Sequence, residues 1–345
     1  MTNVHGAYLT TLSEERLAER STHVGASEVA ALFGRHPYLT EFELWHLKAG
    51  NLPADDLTGS DRVFWGVILE NAIGAGIAAK TGWKLRKVTE YVKHATIAGM
   101  GSSPDFETVD HPRGRGTVQV KNVDAQVFRS WEDGKPPMVY QLQVQHEIAC
   151  GGYDWGVLAC LVGGNQLELF DYDPHPGAIA RIETAVTKFW ESVRAGVPPQ
   201  PDFQRDLETL RGLYSATESG KVLDLSSAGV EPICDDPGAQ DEAKDPDVEA
   251  AEAEQLRRAG AFAKACASYV SASAEIKAAT EIKEAAQAEI LTLIEDAAVA
   301  IGDGFKVSTW PVASGEVSYT RAAYRGMRVS DLSADKPARK ARKAK

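Results

Sequence analysis

Trp155 to Val162 reads WGVLACLV, an unbroken apolar run of eight residues. It is too short for a long helix and lacks the alternation of a strand with one wet face. It therefore predicts a strand buried on both sides, which obliges the chain to lay further structure over each face of a sheet. Gly163-Gly164-Asn165 follows as a turn. Gln166 to Tyr172 then alternates like an antiparallel neighbour.

The surrounding sequence supplies the covering elements. Ser27 is expected to open a short helix that Gly34 and His36-Pro37 close, and Thr40-Glu41-Phe42-Glu43 has the pattern of a capping box. The helix it starts carries Leu44, Trp45 and Leu47 and stops at Gly50. Asp61 to Thr81 reads as a longer helix ended by Gly82, and Trp83 to His94 has strand-like stretches. Thr117 to Val123 reads as a strand, Val139 to Ala149 as a helix, and Ile179 to Ala195 as an amphipathic helix. The predicted class is α/β, a central mixed sheet flanked by helices, followed by a mainly helical C-terminal region.

Val197-Pro198-Pro199-Gln200-Pro201-Asp202 breaks the last of these helices and marks a boundary near residue 205. Residues 206–247 read as an acidic linker. Residues 248–332 read as a helical module, one long helix or two shorter ones with Gly260 as a possible interruption. A β-hairpin is expected from Phe305 to Tyr319 around Ala313-Ser314-Gly315, and residues 333–345 form a basic tail expected to be disordered.

Charge matters here through its distribution. The chain carries a net −12, but Glu231 to Glu254 alone holds ten acids and one lysine, a net of −9. Most of the acidity thus belongs to the linker, and the folded part can still present a basic groove to nucleic acid. Cys150, Cys160, Cys234 and Cys266 are scattered without C-x-x-C spacing, which argues against a zinc ribbon or a disulfide framework and fits a reduced cytosol. No secretory leader is recognised in the first thirty residues, and no run of eighteen apolar residues occurs, so a cytoplasmic, non-membrane location is expected.

The chemistry-bearing pattern is Pro104-Asp105 followed by Gln119-Val120-Lys121. Hard oxygen ligands hold divalent cations, and such cations activate water and neutralise a phosphate. Asp105 is a natural ligand. Gln119 and Lys121, two apart on a strand, point to one face. The Val120 backbone carbonyl can complete a metal shell, Lys121 can orient water or steady charge on the phosphate, and Glu70 can approach as a second carboxylate. Alone, this spacing is weak, and polar residues on a strand surface account for it better.

The surrounding text is more specific. Gly25-Ala26-Ser27-Glu28-Val29, Trp65-Gly66-Val67-Ile68-Leu69-Glu70-Asn71, Ser102-Ser103-Pro104-Asp105, Gln119-Val120-Lys121 and Tyr140-Gln141-Leu142-Gln143-Val144-Gln145 occur in that order. Together they resemble the phage lambda exonuclease and the YqaJ-like viral recombinases, within the PD-(D/E)XK nuclease superfamily, over roughly residues 15–205. The resemblance implies a restriction-endonuclease-like core. It assigns catalytic roles to Glu70, Asp105, Gln119, Lys121 and Gln143, with Asp105, Gln119, the Val120 carbonyl and Glu70 around the metal. Arg20, Ser27 and Ser103 fall where that family binds a 5′-terminal phosphate.

The same resemblance implies a Mg²⁺-dependent exonuclease, with Mn²⁺ as an alternative ion and no iron–sulfur cluster. It would resect duplex DNA ends 5′ to 3′ and hand the 3′ overhang to a single-strand annealing protein. It also implies a homo-oligomer, a trimeric ring, working in the bacterial host cytoplasm if phage-encoded. Gln119 departs from the usual acidic residue: it keeps a carbonyl oxygen and loses a charge, which weakens cation binding. Two alternatives therefore stand beside the exonuclease: a catalytically weak DNA-end-binding scaffold, and a RecB-like or Cas4-like nuclease or endonuclease of the same superfamily.

Overall fold

A computed structural model describes residues 19–53, 59–218, 220–225, 246–302, 304–312 and 327–329. The chain divides into two compact units, Met1–Tyr214 and Ser215–Lys345.

The first unit is built on β1 (Lys84–Lys87), β4 (Phe106–Val109), β5 (Gly116–Val123), β6 (Trp155–Val162) and β7 (Gln166–Tyr172), in the spatial order β1-β4-β5-β6-β7. Only β5 and β6 pair in parallel, with Gln119 opposite Leu158 and Lys121 opposite Cys160. The other pairs are antiparallel, so the expected mixed sheet is present. A separate small ladder joins β2 (Val92–Lys93) to β3 (Gly101–Ser102). The β6–β7 turn is Gly163-Gly164-Asn165, and both glycines take the positive φ that side chains resist.

Alternation along β5 and β6 sorts the two faces. Val118, Val120, Trp155, Val157 and Ala159 pack with Phe106 against Ile73 and Ile77 of α2 (Asp61–Thr81). The opposite residues, Val123, Leu158, Cys160 and Val162, pack against Val144 and Ile148 of α4 (Met138–Gly151). An outer layer covers α4. It comprises the 3₁₀ turn Val29–Phe33, α1 (Glu41–Lys48) and α5 (Pro176–Ala195), and its core includes Val29, Leu44, Trp45, Met100, Ile182, Val186 and Phe189.

By length and composition α2 could cross a membrane, with a mean hydropathy of 1.3 over its most apolar window. Its inner face instead packs on the sheet. Gly74 lets Phe106 approach so closely that a Cβ there would lie 2.5 Å from the ring.

Several local expectations hold and others need correction. Thr40 caps α1 through its Oγ1, which accepts from the Glu43 N–H at 3.0 Å. Ser27 does not open a helix: the segment is 3₁₀, its N-cap is Glu28, and Ser27 is exposed. The short α3 (Ala125–Arg129) and a 3₁₀ turn at Glu132–Gly134 lead into α4. After α6 (Leu207–Leu213), the second unit holds one continuous helix, α7 (Pro246–Ile294), which Gly260 does not interrupt. Its 49 residues span ~74 Å at 1.5 Å per residue. β9 (Phe305–Ser308) pairs antiparallel with the preceding β8 (Val299–Gly302). The turn expected at 313–315 lies outside the described residues.

Candidate active site

Asp105 stands where β4 begins, opposite the middle of β5. The ladder between these strands ends at Phe106–Val118, so the Val120 N–H is not claimed by β4. Asp105 Oδ2 accepts it at 2.7 Å and accepts the Gln119 side-chain amide at 2.6 Å. That amide nitrogen also reaches the Val120 carbonyl at 3.4 Å. The Gln119 carbonyl oxygen, Oε1, is left buried with no hydrogen-bond partner.

The site is unusually rich in carboxyl groups for so enclosed a place. Asp105 keeps some accessible surface, yet burial raises its carboxyl to about 7, with Glu70 adding to the rise and Lys121 opposing it. Glu70 comes from α2 and is paired with Lys87 of β1 at 2.6 Å. The same ammonium reaches Asn71 Oδ1 at 2.9 Å and lies 5.6 Å from the Phe106 ring centroid. Lys121 projects from β5 on the α4 side, its Nζ 5.7 Å from the centroid of Tyr140.

Gln143 is buried on α4, and its Nε2 donates to Glu147 Oε1 at 3.2 Å. Glu147 is fully buried, and Thr117 Oγ1 donates to its other oxygen at 2.9 Å. Desolvation raises the Glu147 carboxyl to about 8, Asp105 adds to this, and Lys121 opposes it. Gln145 leaves the site: its amide holds the Asp173 carbonyl and the His175 N–H, tying the β7–α5 connection.

The structure thus gathers Glu70, Asp105, Gln119, Val120, Lys121 and Gln143 around the middle of β5. Arg20, Ser27 and Ser103 lie on three adjoining segments, Ser103 two residues before Asp105. The bridge between Val24 and Met100 sets the 25–28 loop beside the chain leading to Ser103. Arg20 acts electrostatically on Tyr91, which packs on Gly101. Arg20, Ser27 and Ser103 are all exposed and make no side-chain hydrogen bond among the described residues. Lys48 braces this region from α1, with its ammonium on Glu28 at 2.8 Å and on the Arg20 carbonyl at 2.7 Å.

Sequence reasoning missed Lys87, Glu147 and Lys48. Lys87 lies in the basic strand KLRK, which reads as solvent-facing, and Glu147 looks like any helix glutamate. One signal was available for Glu147: it lies four residues after Gln143, on the same side of the helix.

Among the described residues no three His, Cys, Asp or Glu side chains cluster as a metal site. The donors present are instead a carboxylate, an amide oxygen without a partner and a strand carbonyl, all hard oxygens. The Gln119 amide nitrogen faces the other two donors, so a half-turn of that amide, which frees its unpartnered Oε1 toward them, is what makes the site fit a divalent ion.

Residues 16–154 match the model of the YqaJ-like viral recombinase domain. The uncharacterized protein YqaJ of Bacillus subtilis strain 168 is 28% identical over 224 residues, 64% of this chain and 69% of that protein. Among solved structures, an alkaline exonuclease from Laribacter hongkongensis is 25% identical, with a TM-score of 0.45 over 57% of this chain and 100% of its own. A phage-related exonuclease from Haemophilus somnus 129PT is 14% identical, with a TM-score of 0.41 over 50% of this chain and 96% of its own.

Proposed function

With residues 16–154 a YqaJ-like viral recombinase domain, we propose that the protein is a divalent-metal-dependent deoxyribonuclease, an exonuclease acting at duplex DNA ends. The observation that carries the reading is the Gln119 side chain, whose amide lies against Asp105 on the same strand as Lys121 and whose buried Oε1 has no partner.

Hydrolysis adds water to phosphorus and breaks the P–O3′ bond; the water loses a proton and the 3′ oxygen gains one. Asp105, the Gln119 carbonyl and the Val120 carbonyl would hold the ion, with Glu70 at its side. When bound, that ion supplies charge neutralisation at the phosphate and a more acidic water. Lys121 orients the attacking water or steadies the phosphate oxygens, because β5 holds its ammonium on the Asp105 side of the sheet. Gln143 faces the same strand from α4. Lys87 holds Glu70 in place and offsets part of the carboxylate charge.

Arg20, Ser27 and Ser103 are assigned to the 5′-terminal phosphate. Their exposure and lack of side-chain partners suit an end-gripping role, which gives the 5′ to 3′ direction. The 3′ overhang left behind is a substrate for a single-strand annealing protein, and a homo-oligomeric ring around the duplex would keep the enzyme on its track.

A second reading follows from one contact. The Gln119 amide nitrogen, not its oxygen, faces Asp105, so the metal-free site is closed on itself. A chain that kept this arrangement would bind DNA ends without cutting them.

One assay separates the readings: linear duplex labelled at either end, with and without a 5′ phosphate, in Mg²⁺ or Mn²⁺. Progressive loss of the 5′ label, faster with the phosphate, supports the exonuclease. End binding without product in either metal supports the scaffold, and cutting of closed circles would make it an endonuclease.

A further inference from the structure

We propose that Glu147 is a positioning residue that decides which end of the Gln143 amide faces the Asp105–Lys121 site; this rests on the nuclease reading above.

Helix α4 lies along β5 so that Glu147 meets Thr117 at one end, through a hydrogen bond of 2.9 Å. Tyr140 meets Lys121 at the other, with 5.7 Å from ammonium to ring centroid. Gln143 falls between them on the helix, as Gln119 falls between Thr117 and Lys121 on the strand. The Gln143 amide nitrogen is turned back along the helix to Glu147 Oε1. Its carbonyl oxygen is therefore the end left for the strand and whatever binds there.

An amide can sit in either of two orientations related by a half-turn, and its neighbours choose between them. Both oxygens of Glu147 accept, one from Thr117 and one from Gln143. This arrangement is satisfied when the carboxyl is ionised. A protonated carboxyl would instead donate to the Gln143 oxygen, and the amide nitrogen would turn toward the site. The chemistry offered to a phosphate or water then changes from acceptor to donor. The groups acting on Glu147 are Asp105 and Lys121 from the sheet side, with Cys150 on its own helix and Tyr153 just beyond it. Burial raises the carboxyl to about 8, so the ionised arrangement, with Thr117 and Gln143 both donating, belongs to the pH range above that value. A fully buried carboxyl with a purely structural role would gain nothing from this pairing, since an apolar residue of similar volume would fill the space at lower desolvation cost.

The test uses the full chain, selectively ¹⁵N-labelled at glutamine, with the Gln143 side-chain signal assigned by its loss in Gln143→Ala. In the wild type this signal is expected to shift between pH 6 and 9.5, and in Glu147→Gln it should stay fixed at the low-pH position. With linear duplex and Mg²⁺ at pH 9, where the wild-type carboxyl is ionised, Glu147→Gln is expected to lower kcat about tenfold with KM within about twofold. Adding Glu147→Gln to Gln143→Ala should cost nothing further. A Gln143 signal indifferent to both pH and Glu147→Gln would overturn the proposal, as would kcat losses that multiply in the double variant. A wild type that cuts no DNA would instead sink the nuclease reading, while the amide signal would still decide this one.

Discussion

Gln119 is the residue on which most turns. A glutamate there would face Asp105 Oδ2 across the 2.6 Å that the amide now bridges, and two carboxylates so close repel unless a cation or proton lies between them. Gln119→Glu should therefore lower the Mg²⁺ concentration for half-maximal cleavage while destabilising the metal-free protein by about 1–3 kcal/mol. Titration of activity with Mg²⁺, beside urea denaturation in chelator, checks both halves; an unchanged Mg²⁺ requirement would remove Gln119 from the ligand set.

The two buried carboxyls carry a pH prediction. Asp105 and Glu147 have folded values raised to about 7 and about 8. Their contribution to stability is complete below the unfolded carboxylate values and disappears as pH rises through 7 to 8. His146 is buried, with its value lowered to about 4 by desolvation. It acts oppositely, but only between about 4 and its unfolded value near 6.5. Above pH 6.5 the carboxyls alone remain, and the metal-free protein should lose on the order of 1–2 kcal/mol by pH 8. Mg²⁺ should accordingly raise Tm more at pH 8.5 than at pH 6.5. An equal shift at both would mean that the ion does not bind at these carboxyls. Gln119 and Lys121 were legible as a pair in the sequence because a strand puts alternate residues on one face. Glu147 was not, because its burial depends on how α4 docks, and a lone helix hides that.

At the scale of elements, α2 and Phe106 meet at Gly74, where a Cβ would lie 2.5 Å from the ring. Alanine normally stabilises a helix over glycine by about 1 kcal/mol. Here Gly74→Ala should cost about 1–3 kcal/mol instead, since the ring has β5 behind it. Urea midpoints decide, and a stabilised variant would mean that Phe106 moves aside freely. Element boundaries were readable wherever a cap or a glycine stop was explicit, as at Thr40, Gly50 and Gly82. At β9 strand character was read, while its upstream partner β8 was not anticipated. A strand's composition states that it pairs, and leaves open with what.

For the whole molecule, Asp206 binds the first unit together. It is fully buried, accepts from Thr40 Oγ1 at 2.5 Å and from the Asp202 N–H at 2.7 Å, and its neighbour Arg205 reaches the His36 carbonyl. A chain ending after Tyr214 should keep the thermal transition of the first unit and cleave linear duplex. One ending after Arg205 should lose about 2–3 kcal/mol, since the Thr40 hydroxyl then lacks its buried partner. Equal stability of the two truncations would show that Asp206 contributes nothing. The proline-rich break after Ala195 marked where the helices change, but the clasp beyond it was invisible, because a single aspartate in a polar stretch carries no pattern.

The parallel pairing of β5 with β6 also has a consequence in time. Every residue assigned to the metal and the water lies between Glu70 and Gln143, yet β5 acquires its second neighbour only with Trp155 to Val162. During synthesis the chain must lay down α4 and then β6 before the strand bearing Gln119 and Lys121 is held on both edges. On the nuclease reading, a ribosome paused before Trp155 would thus carry every residue assigned to the chemistry on a strand that still lacks one of its two neighbours.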